Sequence, residues 1–454
     1  MEYTVGGGRK QILLTILIIT SALSHPKRLV LHNSKSLPLL RNRNLGRLTV
    51  RQSLRGGRKQ PSLYSREFGR RKGAIHCSIN ENADATPTIQ APETQLGQDL
   101  KLDLLKLSLS EMENLMSSFG EPKFRAKQLH KAIFDTRIQS FSEMSALPTK
   151  VREKLERAAT IGSLKIAKEQ VSKDGTIKRA YALHDDRLIE SVLMPYDDGR
   201  YTACISSQAG CAQGCVFCAT GQMGFGRHLS SDEIFEQAFR FSQELQQEGK
   251  RLSNVVFMGM GEPFANYDNV INALNRIHGT LNIGWRHVTV STVGIVPKIY
   301  EFADMNSQVT LAVSLHCAND EKRGDLMPVN RRWSVAELIQ ACRYYVFKTN
   351  RRITFEWASI AGENDSKDDA KELAALLRGL KCHVNVIPVN PTAGYPGKAS
   401  KASAKSFVED LNELGIPATL RVRRGIDIDG GCGQLTVRMS NELIDDPNDV
   451  PNPK

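Results

Sequence analysis

From Tyr201 to Arg424, short β-branched runs alternate with amphipathic stretches, and few folds accommodate that rhythm. Strands are expected near 202–206, 253–258, 287–291, 310–315, 353–358 and 383–388, with a further one near 419–424. Helices are expected between them near 231–248, 267–279, 296–304, 334–347, 366–378 and 403–414, the first capped by a Ser230 to Glu233 box. Such alternation calls for parallel strands joined by crossover helices, in a barrel or a doubly wound sheet. The two differ in where chemistry-bearing residues fall. Here nearly every strand ends in them: Cys204, Gly261-Glu262-Pro263, Ser291, Ser314-Leu315-His316 and Asn390. Clustering at C-terminal strand ends is how a barrel-type enzyme assembles its site.

Upstream the pattern is helical. Ser108 and Glu111 form a capping box, apolar residues follow at Met112, Leu115, Met116 and Phe119, and Gly120 supplies a stop. Further helices run through Phe124, Leu129, Ile133 and Phe134, and through Val151 and Leu155. Residues 101–163 therefore read as a helical accessory domain. Residues 164–200 read as a β-hairpin connector turning at Lys173-Asp174-Gly175.

The net charge of +12 suggests a nucleic-acid partner until it is located. Residues 1–77 hold 16 Lys/Arg against Glu2 and Glu67, while the remaining 377 residues carry 45 basic and 47 acidic side chains. The body is near neutral, so overall charge says little about what it binds. The Arg- and Ser-rich, acid-poor leader has the composition of an organelle transit peptide, and Ala74-Ile75-His76-Cys77 resembles a plastid cleavage pattern. That places the mature start near Ser78 and the protein in the chloroplast stroma, with the mitochondrion as the alternative. Two rival readings are a secretory signal at Arg9-Lys10 plus the apolar run 11–23, and a retained RNA-binding arm. The apolar run is too short for the ~20 residues of a spanning helix, so no membrane role is expected. Residues 78–100 and 441–454 read as a disordered linker and tail.

There are nine cysteines, at 77, 204, 211, 215, 218, 317, 342, 382 and 432, an odd number that argues against a disulfide framework. Cys211, Cys215 and Cys218 form C-x3-C-x2-C in a loop flanked by Gly210, Gly214 and Gly221, so three thiolates can face one metal centre. A closed zinc site needs four ligands, and Cys204 or His228 would have to supply the fourth at an unusual spacing. Three ligands on a four-iron cluster would leave one iron open for a small molecule. Cys317, Cys342 and Cys382 lie on apolar patterns and are assigned to structure.

The string Cys211-Ala-Gln-Gly-Cys215-Val-Phe-Cys218 resembles the signature of the radical S-adenosylmethionine (SAM) superfamily. With Cys204-Ile-Ser-Ser-Gln-Ala-Gly, Met258-Gly-Met-Gly-Glu-Pro263, Val290-Ser-Thr-Val-Gly294, Ser314-Leu-His316, Pro388-Val-Asn-Pro391 and Asp429-Gly-Gly-Cys432-Gly-Gln-Leu435 it resembles, more narrowly, the RlmN/Cfr family of RNA adenosine methyltransferases. The resemblance covers roughly residues 100–440, with all motifs in order. It implies an α/β fold, a partial (β/α)6 radical SAM barrel over 201–440 beside the helical domain and the small β region.

It also implies a 4Fe-4S cluster on Cys211, Cys215 and Cys218, and two SAM molecules per turnover, held by Gly261, Glu262, Ser291, Ser314, Leu315, His316 and Asn390. Cys432 would take a methyl group from the first SAM, and a radical made from the second would activate that group to attack adenine. Cys204 would resolve the resulting protein–RNA adduct by thiol exchange, and Glu190 would accept the ring proton. The implied partners are large-subunit ribosomal RNA, a tRNA, and an electron donor such as flavodoxin or ferredoxin, acting on a monomer. Lys123, Arg125, Lys127 and Lys131, with Arg421, Arg423 and Arg424, are the candidate phosphate contacts. The Cys204 string and Gly224-Phe-Gly-Arg227 look more like the branch that methylates C2 than the one that methylates C8. A non-methylating iron–sulfur or RNA-binding assembly protein is the alternative from another class, but it would not need both Cys204 and Cys432.

Overall fold

The computed structural model describes residues 101–436; the expectations for the leader, the linker and the tail fall outside the described residues. The chain opens with β1 (Leu102–Asp103), which pairs in parallel with β2 (Ala159–Thr160) and so ties together the two ends of the helical segment. Between them lie helices Leu109–Ser118, Phe124–His130 and Thr149–Ala158, the first opened by the Ser108–Glu111 capping box. Its buried face is Met112 and Met116, which pack with Leu129, Ile133 and Leu155. A π-helical turn, Lys131–Asp135, continues the second helix and brings Ile133 and Phe134 inward.

The connector is β3 (Lys165–Val171), β4 (Ile177–Ala182) and β5 (Leu188–Pro195), an antiparallel meander. β6 (Tyr201–Cys204) pairs antiparallel with β5 on one side. The short β7 (Gln208–Gly210) and β8 (Phe225–His228) make a separate ribbon. The remaining strands are β9 (Asn254–Phe257), β10 (Val288–Thr292), β11 (Thr310–Ser314), β12 (Ile353–Ser359), β13 (Cys382–Pro388) and β14 (Ala418–Leu420). The order across the main sheet is β14-β13-β12-β11-β10-β9-β6-β5-β4-β3, parallel from β6 to β14. The β region is therefore not a separate module, because it continues the same hydrogen-bonded ladder as the barrel strands.

Six parallel strands with helices Ser231–Gln247, Tyr267–Leu281, Val296–Asp304, Val335–Thr349 and Lys367–Leu377 in the successive crossovers form the partial barrel, an open α/β sheet as expected. The strands alternate: Val255, Val290, Leu311, Phe355 and Val384 share one fully buried face, while the opposite face carries polar residues such as Ser291, Ser314, Glu356 and Asn385. Helix Lys401–Glu413 follows β13, and Trp357 of β12 stacks on its Phe407 with ring centroids 5.3 Å apart. The β7–β8 ribbon and the helix Asp320–Leu326 were not anticipated from periodicity.

Candidate active site

The site gathers at the C-terminal ends of the parallel strands. Past β6 the backbone keeps its pairing for one more residue, with Ile205 N–H donating to the Val256 carbonyl at 3.0 Å, and then turns into the ribbon. The ribbon pinches the loop that holds the three clustered cysteines: Cys211 N–H donates to the Gly224 carbonyl at 2.8 Å. Gly210 makes that closure possible. It sits at φ 80°, and a Cβ there would stand 2.1 Å from the Gly224 oxygen.

One cavity is lined by Cys215, Cys218, Gly261, Glu262, Ser291, Ser314, His316, Asn390 and Cys432, side chains from six different chain segments. Cys211 is buried in the same loop but is not part of that lining, and Leu315 is fully buried beneath it. A second cavity adjoins the first and is lined by Cys204, Tyr196, Arg423 and Arg424. Met258, Asn390, Arg421 and Cys432 border both, so Cys432 stands on the partition between them. Glu190 lies outside both linings. Its carboxylate accepts the Thr436 N–H at 2.9 Å and lies 3.6 Å from the Lys178 ammonium. Burial pushes the Glu190 carboxyl up, and Lys178 opposes that.

Glu262 is 2 % exposed, and its two oxygens accept N–H bonds from Phe264 (2.9 Å) and Val293 (2.8 Å). Burial without a cationic side-chain partner raises its carboxyl to about 7, against the pull of those backbone donors. The preceding Gly261, at φ 98°, passes so close to Gln208 that a Cβ would lie 2.5 Å from that side chain. Gln208 in turn accepts the Glu262 N–H at 2.8 Å and bonds His228, a positioning role that sequence spacing did not reveal.

His316 occupies the left-handed region at φ 59°, a conformation that costs a non-glycine residue free energy and is typical of functional sites. Its Nδ1 accepts the Ala358 N–H at 2.9 Å, and its ring meets Phe217 of the cysteine loop edge-on at 4.9 Å. Burial, helped by the nearby Arg323 cation, lowers it to about 3, so the ring is neutral at physiological pH. Asn390 Nδ2 donates to the Cys432 carbonyl at 3.0 Å. Two further bonds fasten the Cys432 loop to the cysteine-rich segment: Ala219 N–H to the Gly433 carbonyl and Thr220 Oγ1 to the Leu435 carbonyl, both 2.7 Å.

The arginines after β14 differ from the expectation of a phosphate-binding face. Arg421 turns inward toward Glu356 and Met258, Arg423 reaches Asn390 at 3.5 Å, and Arg424 lies over the Tyr196 ring at 4.5 Å. In the helical domain Lys123, Lys127 and Lys131 are exposed, while Arg125 is bonded to Gln128. Cys317, Cys342 and Cys382 are buried; Cys317 sits in the turn after β11 rather than in a strand, against Val329 and Val389. All eight cysteines among the described residues are unbridged.

Comparison with known proteins gives the family. Residues 205–377 match the Radical SAM superfamily, and residues 102–161 match the Ribosomal RNA large subunit methyltransferase N-terminal domain. The chain is 45% identical over 342 residues to a probable dual-specificity RNA methyltransferase RlmN from Staphylococcus aureus strain MW2, covering 74% of this chain and 93% of that protein. The counterpart from strain JH9 is 44% identical over the same length and the same shares. The crystal structure of a radical SAM methyltransferase from Sphaerobacter thermophilus matches with a TM-score of 0.69 at 44% identity, over 74% of this chain and 99% of that one.

Radical SAM proteins use a 4Fe-4S cluster and SAM, and the residues here suit both. Among the described residues no three His, Cys, Asp or Glu groups stand close enough to hold one metal ion. The buried Glu262 carboxylate, lacking a cationic side-chain partner, fits the ammonium group that SAM would bring. With that fit, and with relatives matched over nearly their whole length, the chain belongs to the RlmN family of radical SAM RNA methyltransferases.

Proposed function

We propose that the protein methylates C2 of an adenosine in large-subunit ribosomal RNA, and also in a tRNA, through a methyl group carried on Cys432. The observation that carries this reading is the position of Cys432 on the wall between two cavities. On one side stand Cys215, Cys218 and Glu262, and on the other Cys204. The dual-specificity name of the Staphylococcus aureus relatives supports two RNA targets.

When bound, the cluster and SAM supply a 5′-deoxyadenosyl radical, which C2 chemistry needs because that carbon is electron-poor and no target for an electrophilic methyl group. Cys211, Cys215 and Cys218 hold the cluster. Gly261 and Glu262 take the SAM amino group, while Ser291, Ser314, Leu315, His316 and Asn390 shape the rest of its pocket. Cys432 carries the methyl carbon to the base. Cys204 attacks the Cys432 sulfur, forms a disulfide and frees the product. Glu190 accepts the proton lost by the ring, drawn toward the Cys432 loop by its bond to Thr436. The adenine leaves its stack to reach this site, and the exposed lysines of the helical domain neutralise RNA phosphates. No helix among the described residues is long and apolar enough to cross a membrane. We place the protein in the chloroplast stroma as a monomer fed by a flavodoxin- or ferredoxin-like donor, which an import assay with isolated plastids tests.

The deciding experiment is anaerobic turnover of the cluster-loaded protein with SAM, a reductant and unmodified large-subunit RNA, followed by nucleoside mass spectrometry. C2-methyladenosine is expected. C8-methyladenosine would move the chain to the other branch, and SAM cleavage with neither product would refute the RNA assignment.

A further inference from the structure

The N-terminal ends of the parallel strands, the pole of the barrel opposite the candidate active site, carry a cup of a different character. Arg286 stands two residues before β10, Thr310 opens β11, Arg351 and Arg352 lead into β12, and Lys381 precedes β13. They line one concavity of about 500 Å³, and no Asp or Glu among the described residues is part of its wall. Two of its four cations are tethered, and only to neutral groups. Arg351 donates to Gln308 Oε1 at 3.3 Å and to Thr310 Oγ1 at 3.1 Å, and the Lys381 ammonium donates to the Asn350 carbonyl at 2.9 Å. The guanidinium groups of Arg286 and Arg352 are exposed and have no hydrogen-bond or ion-pair partner among the described residues. Their field reaches inward: His383 of β13 is pushed toward its neutral form first by burial and then by Arg352.

Residues 78–454 as a whole carry 45 basic and 47 acidic side chains, so four cations in one concavity without a carboxylate depart from the balance of the body. A cleft lined by one sign of charge focuses its field on a counter-ion. A phosphate suits this cup, because its oxygens match the fork of a guanidinium. The arginines after β14, the expected phosphate contacts, are engaged by Glu356, Asn390 and Tyr196, which leaves the free guanidinium groups at the far pole. We propose that the cup binds backbone phosphates of the RNA substrate, in a segment distant from the adenosine that enters the active site. The assignment rests on the proposed function for the identity of the polyanion. β12 runs from the cup to the site, and its seven residues span ~20 Å at about 3.3 Å per residue. An RNA must pass over the flank of the barrel to occupy both places, which a long folded RNA can do and a minimal hairpin cannot.

The test measures binding of the full, cluster-loaded chain to two RNAs at several salt concentrations: a minimal hairpin carrying the reactive adenosine, and a long large-subunit fragment that contains the same hairpin. The basic leader is common to every variant and cancels in the comparison. Arg286→Gln combined with Arg352→Gln removes two charges that hold nothing else together, so the cluster absorbance and Tm should match wild type. Affinity for the long RNA should fall about tenfold or more near 0.1 M salt, and the slope of log affinity against log salt should shrink by about 1.5, as for two lost phosphate contacts. Affinity for the hairpin should stay within about twofold, and R286K/R352K should restore most of the loss on the long RNA. Wild-type affinity of R286Q/R352Q for the long RNA overturns the proposal. So does an equal loss on both RNAs, which would report the field of the whole molecule and not a contact at the cup. A small phosphate has the same chemistry. Heat of binding of inorganic phosphate or AMP to the wild-type chain that disappears in R286Q/R352Q, with long-RNA binding unchanged, would give the cup to a free anion and take it from RNA. A chain that still methylates the hairpin while the cup proves idle keeps the proposed function, whereas a wild-type chain that binds neither RNA loses both.

Discussion

Asn390, two residues beyond β13, donates a 3.0 Å hydrogen bond to the carbonyl of Cys432, so a residue that lines the first cavity sets the backbone of the proposed methyl carrier. The contact leaves no room. A Cβ on Gly431 would stand 2.7 Å from Asn390 Nδ2 and 2.7 Å from Gln434 Oε1. Gly431→Ala should therefore push the Asn390 and Gln434 side-chain ends aside and break the bond at little cost in stability, with methyl transfer falling at least tenfold. Gly279→Ala is the control, since nothing lies within 4 Å of its Cβ and it sits in the helix Tyr267–Leu281. That change should leave turnover intact and raise Tm slightly. Equal losses of activity in the two variants would contradict the steric argument.

The two relay cysteines make opposite predictions. Cys432→Ala should abolish methyl transfer outright and give no protein-bound RNA. Cys204→Ala should instead accumulate a covalent protein–RNA adduct, visible as a shifted band on a denaturing gel and sensitive to ribonuclease. Free methylated product at normal yield from the Cys204 variant would remove that residue from the mechanism.

Lys178 and Glu190 form a buried pair at 3.6 Å, 9 % and 7 % exposed, between adjacent strands of the meander. Removing one partner of such a pair leaves an uncompensated charge and costs about 3–5 kcal/mol. Lys178→Ala should thus lower Tm markedly. Glu190→Gln leaves Lys178 without its counter-charge and should lower Tm too, but it keeps an oxygen for the Thr436 N–H; in the folded fraction it cannot take a proton, so the adduct should persist unresolved. Normal product release by Glu190→Gln would show that the residue positions the loop and does nothing more.

The hairpin turn between β3 and β4 clasps the loop that leads to Cys432. Asp174 accepts the Gly425 N–H at 3.0 Å, and Asp427 accepts the Lys173 N–H at 3.1 Å. Partial burial works against the ionised Asp174, but bonds from Thr176, Gly425 and Ser172 prevail and hold it down at about 2. A carboxyl lowered on folding stabilises the folded form above its unfolded value near 3.9 and loses that contribution as pH falls through the folded one. Protection of the amides in residues 425–430, measured against their intrinsic exchange rates at each pH, should therefore fall between about pH 4 and pH 2. Asp174→Ala should show faster exchange at neutral pH and a flatter response to acid, and an unchanged profile would dismiss the clasp.

The barrel was legible because its short strands are followed by polar clusters and amphipathic helices, three of which open with a capping box, at Ser230, Ser334 and Ser366. The β7–β8 ribbon was not, because strands of three and four residues containing Gly210 and Gly226 are too short to show alternation. Among candidate site residues, Cys211, Cys215 and Cys218 stand out by their spacing, whereas Glu262, His316 and Cys432 are picked out by the family resemblance of the motifs that contain them. The inward turn of Arg421 shows in neither, since a basic residue just past a strand reads as solvated. Nor does Glu356, whose partner Asn385 becomes its neighbour only through the register of β12 on β13. Gln208 was likewise hidden, as its role depends on a fold that brings it beside Gly261.

The unbroken ladder from β3 to β14 bears on how the protein can be cut. A chain trimmed to begin at β6 would keep every strand that surrounds the cofactor cavity. It would lose Asp174, Lys178 and Glu190, three of the anchors that seat the segment from Gly425 to Thr436. The boundary at which the radical SAM match begins, residue 205, thus cuts through one assembly: the cavity-lining strands lie on one side, and the anchors of the segment that carries Cys432 lie on the other.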